Sequence, residues 1–210
     1  MRPEDAADLI RVCHELARRG YARSSSGNVS LRCGERIYVT PTGAPLGRLK
    51  VADLALCNLE GRILGEARPT KEIAFHLAIL RERPDVNAVV HTHPTHAVAA
   101  SALLNPGQFV PAVTPQFVMR AGHVPVLPYH PPGSPRIAED VAGSCSRSAV
   151  LLQNHGAVTL GAHLDEAVGI LDELEENCRL WLLVRTEGRL LSQEEVADLL
   201  DWRQRQQQNE

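Results

Sequence analysis

A layered α/β sandwich with antiparallel character is the fold class this sequence predicts, and three observations lead to it. Segments with the apolar period of helices are interleaved with short β-rich runs along the whole chain. Their order lacks the strict strand–helix–strand repetition that builds a doubly wound parallel sheet. Hairpin signals stand early, and neither a GxGxxG nor a P-loop lysine motif is present to support a nucleotide fold. With 210 residues the chain reads as one domain, 1–210, long enough to bury a core without staples.

Residues 4–19 form the first predicted helix: Ala7, Leu9, Ile10, Cys13, Leu16 and Ala17 approximate one apolar face, and Gly20 stops it. "SSSGNVSLR" reads as a loop entering a strand and "RIYVT" as a second strand, broken by "PTG". "LALCNLEGRIL" reads as a hairpin turning near Glu60 and Gly61. A helix is predicted from Thr70 to Glu82, with Ile73, Ala74, Leu77, Ala78 and Leu80 towards the core. "NAVV" is a short buried strand, "THAVAASALL" a helix, "VPVLPY" a strand and "RIAEDVAGSC" a helix. "AVLLQNHGAVTLG" gives a strand, a turn and a strand. "LDEAVGILDELEENCRLWLLVRT" is the longest amphipathic helix, closed by Gly188. A last helix starts at "SQEE", where Ser192 caps and Glu195 reaches back, and the tail "RQRQQQNE" is expected to fray.

Apolar residues make up 44% and charged residues 22%, an ordinary globular balance, and the net charge of −3 carries no basic footprint for nucleic acid. Five scattered cysteines without a CxxC pair argue against a disulfide framework and a thiolate zinc site, and fit a reducing cytoplasm. The first 20 residues are amphipathic rather than a signal peptide, and no apolar run approaches the roughly 20 residues that span a bilayer. A cytoplasmic location is expected.

The chemistry concentrates in "NAVVHTHPTHAVAAS". On a strand, His91 and His93 point to the same face, because side chains alternate. Two imidazoles so placed can hold one metal at about 2.0–2.1 Å each, although histidines near a strand end can also be ordinary hydrogen-bonded residues. The pairing favours a metal. His155, at the end of another apolar strand and followed by Gly156, supplies a candidate third ligand, and an open fourth position would make a Lewis-acid site. His96 falls in the next helix and reads as structural or as orienting a ligand. His14, His76, His123, His130 and His163 have no partner at ligand spacing and read as ordinary. Glu72 lies in the first turn of its predicted helix, where an acid complements the helix dipole; spacing alone does not prefer catalysis. "SSSGN" and "TPTG" can form anion nests or plain turns.

Taken in order, "SSGNVS", "TPTG", "PTKE", "HTH" and "NHG" resemble the class II aldolase/adducin family, over most of the chain from Tyr21 to Leu183. The resemblance implies a three-layer α/β/α sandwich around a mainly antiparallel central sheet, a homotetramer, and active sites shared between neighbouring subunits. It implies a divalent metal, usually zinc, on His91, His93 and His155, and makes Glu72 the acid/base group. Asn28, Thr42, Gly43, Thr70 and Lys71 match positions that bind substrate phosphate. Adducin-type members lack the metal site, whereas this chain keeps all three histidines.

Within the family, "VTPTGAPLGRL", "RPTKE" and "TPQFVMRAGHVPVLPYHPPGSP" resemble the members that decarboxylate 3-oxo-tetronate 4-phosphate. The implied reaction gives dihydroxyacetone phosphate and CO2 through an enediolate that the metal would stabilise. Lys71 beside Glu72 suits a substrate with both phosphate and carboxylate, or is one more phosphate ligand. The tyrosines of fuculose-phosphate aldolase are missing from "TPQFV" and from "DWRQRQQQNE", as is the aspartate of ribulose-phosphate 4-epimerase. Gln116 also replaces a tyrosine of the decarboxylases. An aldolase of the fuculose-phosphate type and a non-catalytic adducin-like module remain the alternatives.

Overall fold

The computed structural model describes residues 3–207. Helix α1 (Pro3–Arg18) carries Glu4 and Asp5 in its first turn, where acids complement the helix dipole, and buries Leu9, Val12, Cys13 and Leu16. The chain then enters the sheet through β1 (Asn28–Cys33), β2 (Arg36–Val39) and β3 (Ala55–Cys57). Two short 3₁₀ turns, Leu46–Arg48 and Val51–Asp53, lie between β2 and β3. Helix α2 (Ile73–Glu82), β4 (Ala88–Thr92), α3 (Thr95–Leu103) and α4 (Pro115–Ala121) follow. The remainder is β5 (Val126–Leu127), α5 (Pro135–Gly143), β6 (Ala149–Leu152), β7 (Gly156–Gly161), α6 (Leu164–Val184) and α7 (Gln193–Gln207).

The seven strands form one sheet in the order β3-β2-β1-β4-β7-β6-β5. Every neighbouring pair is antiparallel except β5 with β6. Two hydrophobic cores lie on its two faces. Ala88 and Val90 of β4 pack into one core with residues of α1, α3, α4 and α6, while Val89 packs into the other with residues of α2 and α5. This is the expected three-layer sandwich. A strand covered on both faces has no solvent side, which is why "AVVHT" is buried throughout and shows no polar alternation.

Local chemistry accounts for the departures from the sequence reading. Helix α2 begins at Ile73, not Thr70, and Glu72 is its N-cap rather than a first-turn residue. Its buried set is Phe75, His76, Leu77, Ile79 and Leu80, whereas Ala74 is exposed and Ile73 and Ala78 are half-buried. The "LALCNLEGRIL" hairpin does turn at Asn58–Gly61, but its second arm is only a bridge between Cys57 and Ile63. Prolines 125 and 128 trim "VPVLPY" to a two-residue strand. Thr114 accepts from the Phe117 N–H, and Pro115 starts α4, a short helix the apolar pattern did not reveal. The Ser192–Glu195 capping box is formed in both directions, and α7 continues to Gln207 instead of fraying; residues 208–210 of the tail lie outside the described residues.

One buried carboxylate ties two helices of the same layer, α6 and α3, together. Glu175 of α6 accepts from the backbone N–H groups of His96 and Ala97, at 3.0 and 2.8 Å, and lies 2.8 Å from His96 Nδ1. These N–H groups are among the unpaired donors that open α3. Replacing Glu175 with Gln turns one acceptor oxygen into a donor against them. The expected result is a loss of about 1–3 kcal/mol in urea unfolding, read at an unchanged m-value. A variant as stable as the parent would remove this anchor.

Candidate metal centre and active site

Strand pairing brings the chemistry to one edge of the sheet. Asn28 opens β1 directly opposite His91, His91 pairs with Val158 of β7, and Thr92 pairs with Ala157. His93 follows the end of β4, and His155 immediately precedes β7. The Nε2 atoms of His93 and His91 lie 3.1 Å apart, and each of the three histidines offers one ligand atom within 4.8 Å of the others. His91 is fully buried and donates its Nδ1–H to the Ala157 carbonyl at 2.9 Å, which leaves Nε2 with a lone pair turned to the cluster.

Gly156 makes this approach possible. A Cβ there would stand 2.5 Å from both the His93 ring and the Thr92 carbonyl, closer than any side chain tolerates. Gly27, at φ +78°, similarly lets the loop before β1 pass the His91 carbonyl.

The electrostatics keep the imidazoles neutral. Burial, followed by His93 and His155, holds His91 well below the usual histidine range. Burial, then His155, pushes His93 down to about 4, with Glu72 pulling weakly the other way. Burial also lowers His155, against the opposing Glu72 carboxylate. Neutral imidazole is the form a metal accepts.

Glu72 completes the cluster. Its Oε2 lies 3.4 Å from His91 Nε2, and its Oε1 lies 3.6 Å from His155 Nε2. Oε1 is buried without a hydrogen-bond partner, as is His155 Nδ1. Metal–nitrogen bonds of 2.0–2.1 Å near the tetrahedral angle hold ligand atoms roughly 3.4 Å apart. The 3.1 Å between the His91 and His93 nitrogens is close to that figure, and the His155 donor lies within 4.8 Å of them, so the three imidazoles are grouped as round one ion. The donor set fits a divalent metal.

Glu72 is placed by the segments on either side of it. Thr70 N donates to the Thr40 carbonyl, Pro41 bridges to Pro69, and the Glu72 N–H reaches Thr70 Oγ1 at 3.3 Å. "TPTG" and "PTKE", distant in sequence, thus run side by side. Of the residues matched to phosphate binding, Asn28 and Thr70 are buried at this end of the sheet, and Thr42, Gly43 and Lys71 are exposed. Asn28 turns its Nδ2 to Glu72 Oε2, at 2.8 Å.

The other histidines divide cleanly. His14 meets the Leu49 carbonyl, His130 meets Asp140, His163 caps α6, His123 lies beside Phe109, and His96 turns to Glu175. His76 does not belong with them. It is fully buried, with Nε2 2.6 Å from Asn28 Oδ1 and Nδ1 2.8 Å from Ser30 Oγ. Spacing contained the signal: Asn28 and Ser30 share a strand face, and His76 follows Glu72 by four residues, one helical turn.

The chain belongs to the class II aldolase and adducin family: residues 7–182 match the family profile for the class II aldolase and adducin N-terminal domain. It is 40% identical, over 91% of its length and 93% of the relative's, to the 3-oxo-tetronate 4-phosphate decarboxylase of Haemophilus influenzae. It is 39% identical to the L-fuculose phosphate aldolase of Methanococcus maripaludis, over 84% of this chain and 95% of that one. Among solved structures, YgbL from Klebsiella pneumoniae superposes with a TM-score of 0.88 at 38% identity, covering 93% of this chain and 97% of its own.

Proposed function

We propose that this protein is a metal-dependent carbon–carbon lyase that decarboxylates 3-oxo-tetronate 4-phosphate to dihydroxyacetone phosphate and CO2. The observation that carries the reading is Glu72 Oε1, buried and unpartnered at the rim of a three-histidine cluster. The decarboxylases at about 40% identity over most of the chain supply the substrate class.

His91, His93 and His155 would hold the ion, for which zinc is the choice that suits a nitrogen donor set. When bound, a divalent cation supplies Lewis-acid stabilisation for negative charge developing on the substrate oxygens. Glu72 carries the proton. The C1–C2 bond breaks, and its electron pair moves into C2–C3 and onto the C3 oxygen. The pair then returns to form a C2–H bond with the proton that Glu72 delivers from Oε1. One proton is consumed for each CO2 released, and Glu72 is reprotonated from solvent. Thr42, Gly43, Thr70 and Lys71 would meet the substrate phosphate and carboxylate, while the Asn28 carboxamide is already engaged by Glu72 and His76.

The reading extends to a single domain over 1–210, a cytoplasmic homotetramer, and active sites completed between subunits. No described helix is long and apolar enough to cross a membrane. A second reading, cleavage of a sugar phosphate to an aldehyde, is favoured by the fuculose phosphate aldolase relatives at 39% identity. An adducin-like module without catalysis leaves the clustered histidines unexplained.

A coupled assay for dihydroxyacetone phosphate separates these readings. Zinc-loaded protein supplied with 3-oxo-tetronate 4-phosphate is expected to give one CO2 per product, and a chelator should abolish turnover. Folded, metal-loaded protein that makes no product from either C2 epimer would defeat the decarboxylase reading and send the search to aldehyde-releasing substrates.

A further inference from the structure

Behind Glu72, starting at Asn28, the fold buries a chain of polar groups to which the proposed reaction gives no role. Asn28 Nδ2 donates to Glu72 Oε2 at 2.8 Å, His76 Nε2 lies 2.6 Å from Asn28 Oδ1, and Ser30 Oγ lies 2.8 Å from His76 Nδ1. Ser30 and His76 are 0% exposed, and Asn28 is 5% exposed. Water therefore has little opportunity to replace any link.

Chemistry fixes the direction of the chain. The Asn28 carbonyl oxygen only accepts, so His76 Nε2 must carry a hydrogen. The ring is neutral, because burial, then His91, pushes its pKa down to about 3. Its single N–H is then spent on Asn28, and Nδ1 accepts from the Ser30 hydroxyl. A carboxamide is nearly symmetric in shape, so sterics alone do not decide which end faces Glu72. Reversed, Asn28 would set its carbonyl against the carboxylate and its NH2 against the His76 N–H. The first contact is repulsive outright; the second is repulsive as long as the ring keeps its hydrogen on Nε2, with Nδ1 accepting from Ser30.

We propose that His76 is a positioning residue: it locks the Asn28 carboxamide in one orientation, so that Asn28 holds Glu72 Oε2 and leaves Oε1 alone free to transfer the proton. The inference rests on the reading of Glu72 as the proton carrier. The asymmetry of that carboxylate is what the lock produces, with one oxygen held at 2.8 Å and the other buried without a partner. Register supports it too, since Asn28 lies directly opposite His91 and the lock therefore acts within the same strand pair as the cluster. Simple satisfaction of buried polar groups would make His76 matter for stability, with no selective effect on turnover.

The test uses full-length zinc-loaded protein. In His-selective ¹⁵N spectra, His76 should carry its proton on Nε2, with Nδ1 as the acceptor. His76→Phe is expected to lower kcat about 10- to 100-fold, the usual cost of losing a partner that orients a functional group, with KM and metal content unchanged. His76→Gln keeps an amide N–H for Asn28 Oδ1 and should recover most of that loss. A proton on Nδ1 in the wild-type protein overturns the proposal whether or not the variants fold. So does a folded His76→Phe protein of unchanged kcat, or a His76→Gln protein as slow as His76→Phe. If the wild-type protein proves inactive on the oxo-acid phosphate, the functional reading alone fails; the tautomer is still measured, and the kcat comparison moves to the aldehyde-releasing reaction.

Discussion

Glu72→Gln is expected to abolish most turnover while leaving fold and metal content intact. Glutamine has nearly the same shape, so it fits a position that is 9% exposed and keeps an oxygen for the Asn28 Nδ2–H. It cannot take up and deliver a proton, and positioned acid–base groups typically contribute about 10²–10⁴-fold. The predicted phenotype is a kcat lowered by that factor, with KM close to that of the parent, because Glu72 acts on the reacting carbon rather than on the phosphate. Steady-state kinetics with metal analysis of the same preparation would check it. A variant that turns over at the parental rate would take Glu72 out of the mechanism. Turnover lost together with the metal, and restored by excess zinc, would make it a ligand and not the proton carrier.

The two halves of the site were unequally legible. "HTH" announced itself because side chains two apart on a strand share a face, a rule that needs no tertiary information, whereas His155 of "NHG" was weak evidence by itself until the pairing of β4 with β7 brought it to that edge. The placement of Glu72 was harder. Its position before α2 depends on Thr70 meeting Thr40 and on the bridge between Pro41 and Pro69, contacts between segments about 30 residues apart. The same remoteness hid His76. Alone on an apolar helix it reads as an ordinary histidine, and only the packing of α2 over β1 reveals Ser30 and Asn28 on either side of its ring.

Fold-level errors have the same origin. A helix that borders solvent on one side shows a single apolar stripe, and Ile73, Ala74, Leu77, Ala78 and Leu80 were read as that stripe. Helix α2 instead packs against both the sheet and α5, so its buried surface wraps to include Phe75, His76 and Ile79. By contrast, the Ser192–Glu195 capping box is local chemistry, complete within four residues, and it was readable without the fold.

His93→Ala carries the second large effect, the loss of stoichiometric metal. Three neutral nitrogen donors face one point here, and burial already holds His91 and His93 unprotonated. Changes to the partners that merely orient a ligand cost about 10–100-fold in affinity, so removal of a ligand should cost more. His93 is the informative first choice because it is only half-buried and its main chain remains fixed by the Tyr21 carbonyl. Removing its ring should therefore spare the fold. His91→Ala should lose metal too, but it empties a fully buried position and frees the Ala157 carbonyl, so a fall in melting temperature should accompany it. Metal analysis after gel filtration, set beside thermal melts, separates the two outcomes. Full occupancy in both variants would refute the ligand set. Loss in both, with only His91→Ala destabilised, would match a site whose buried member also supports the sheet.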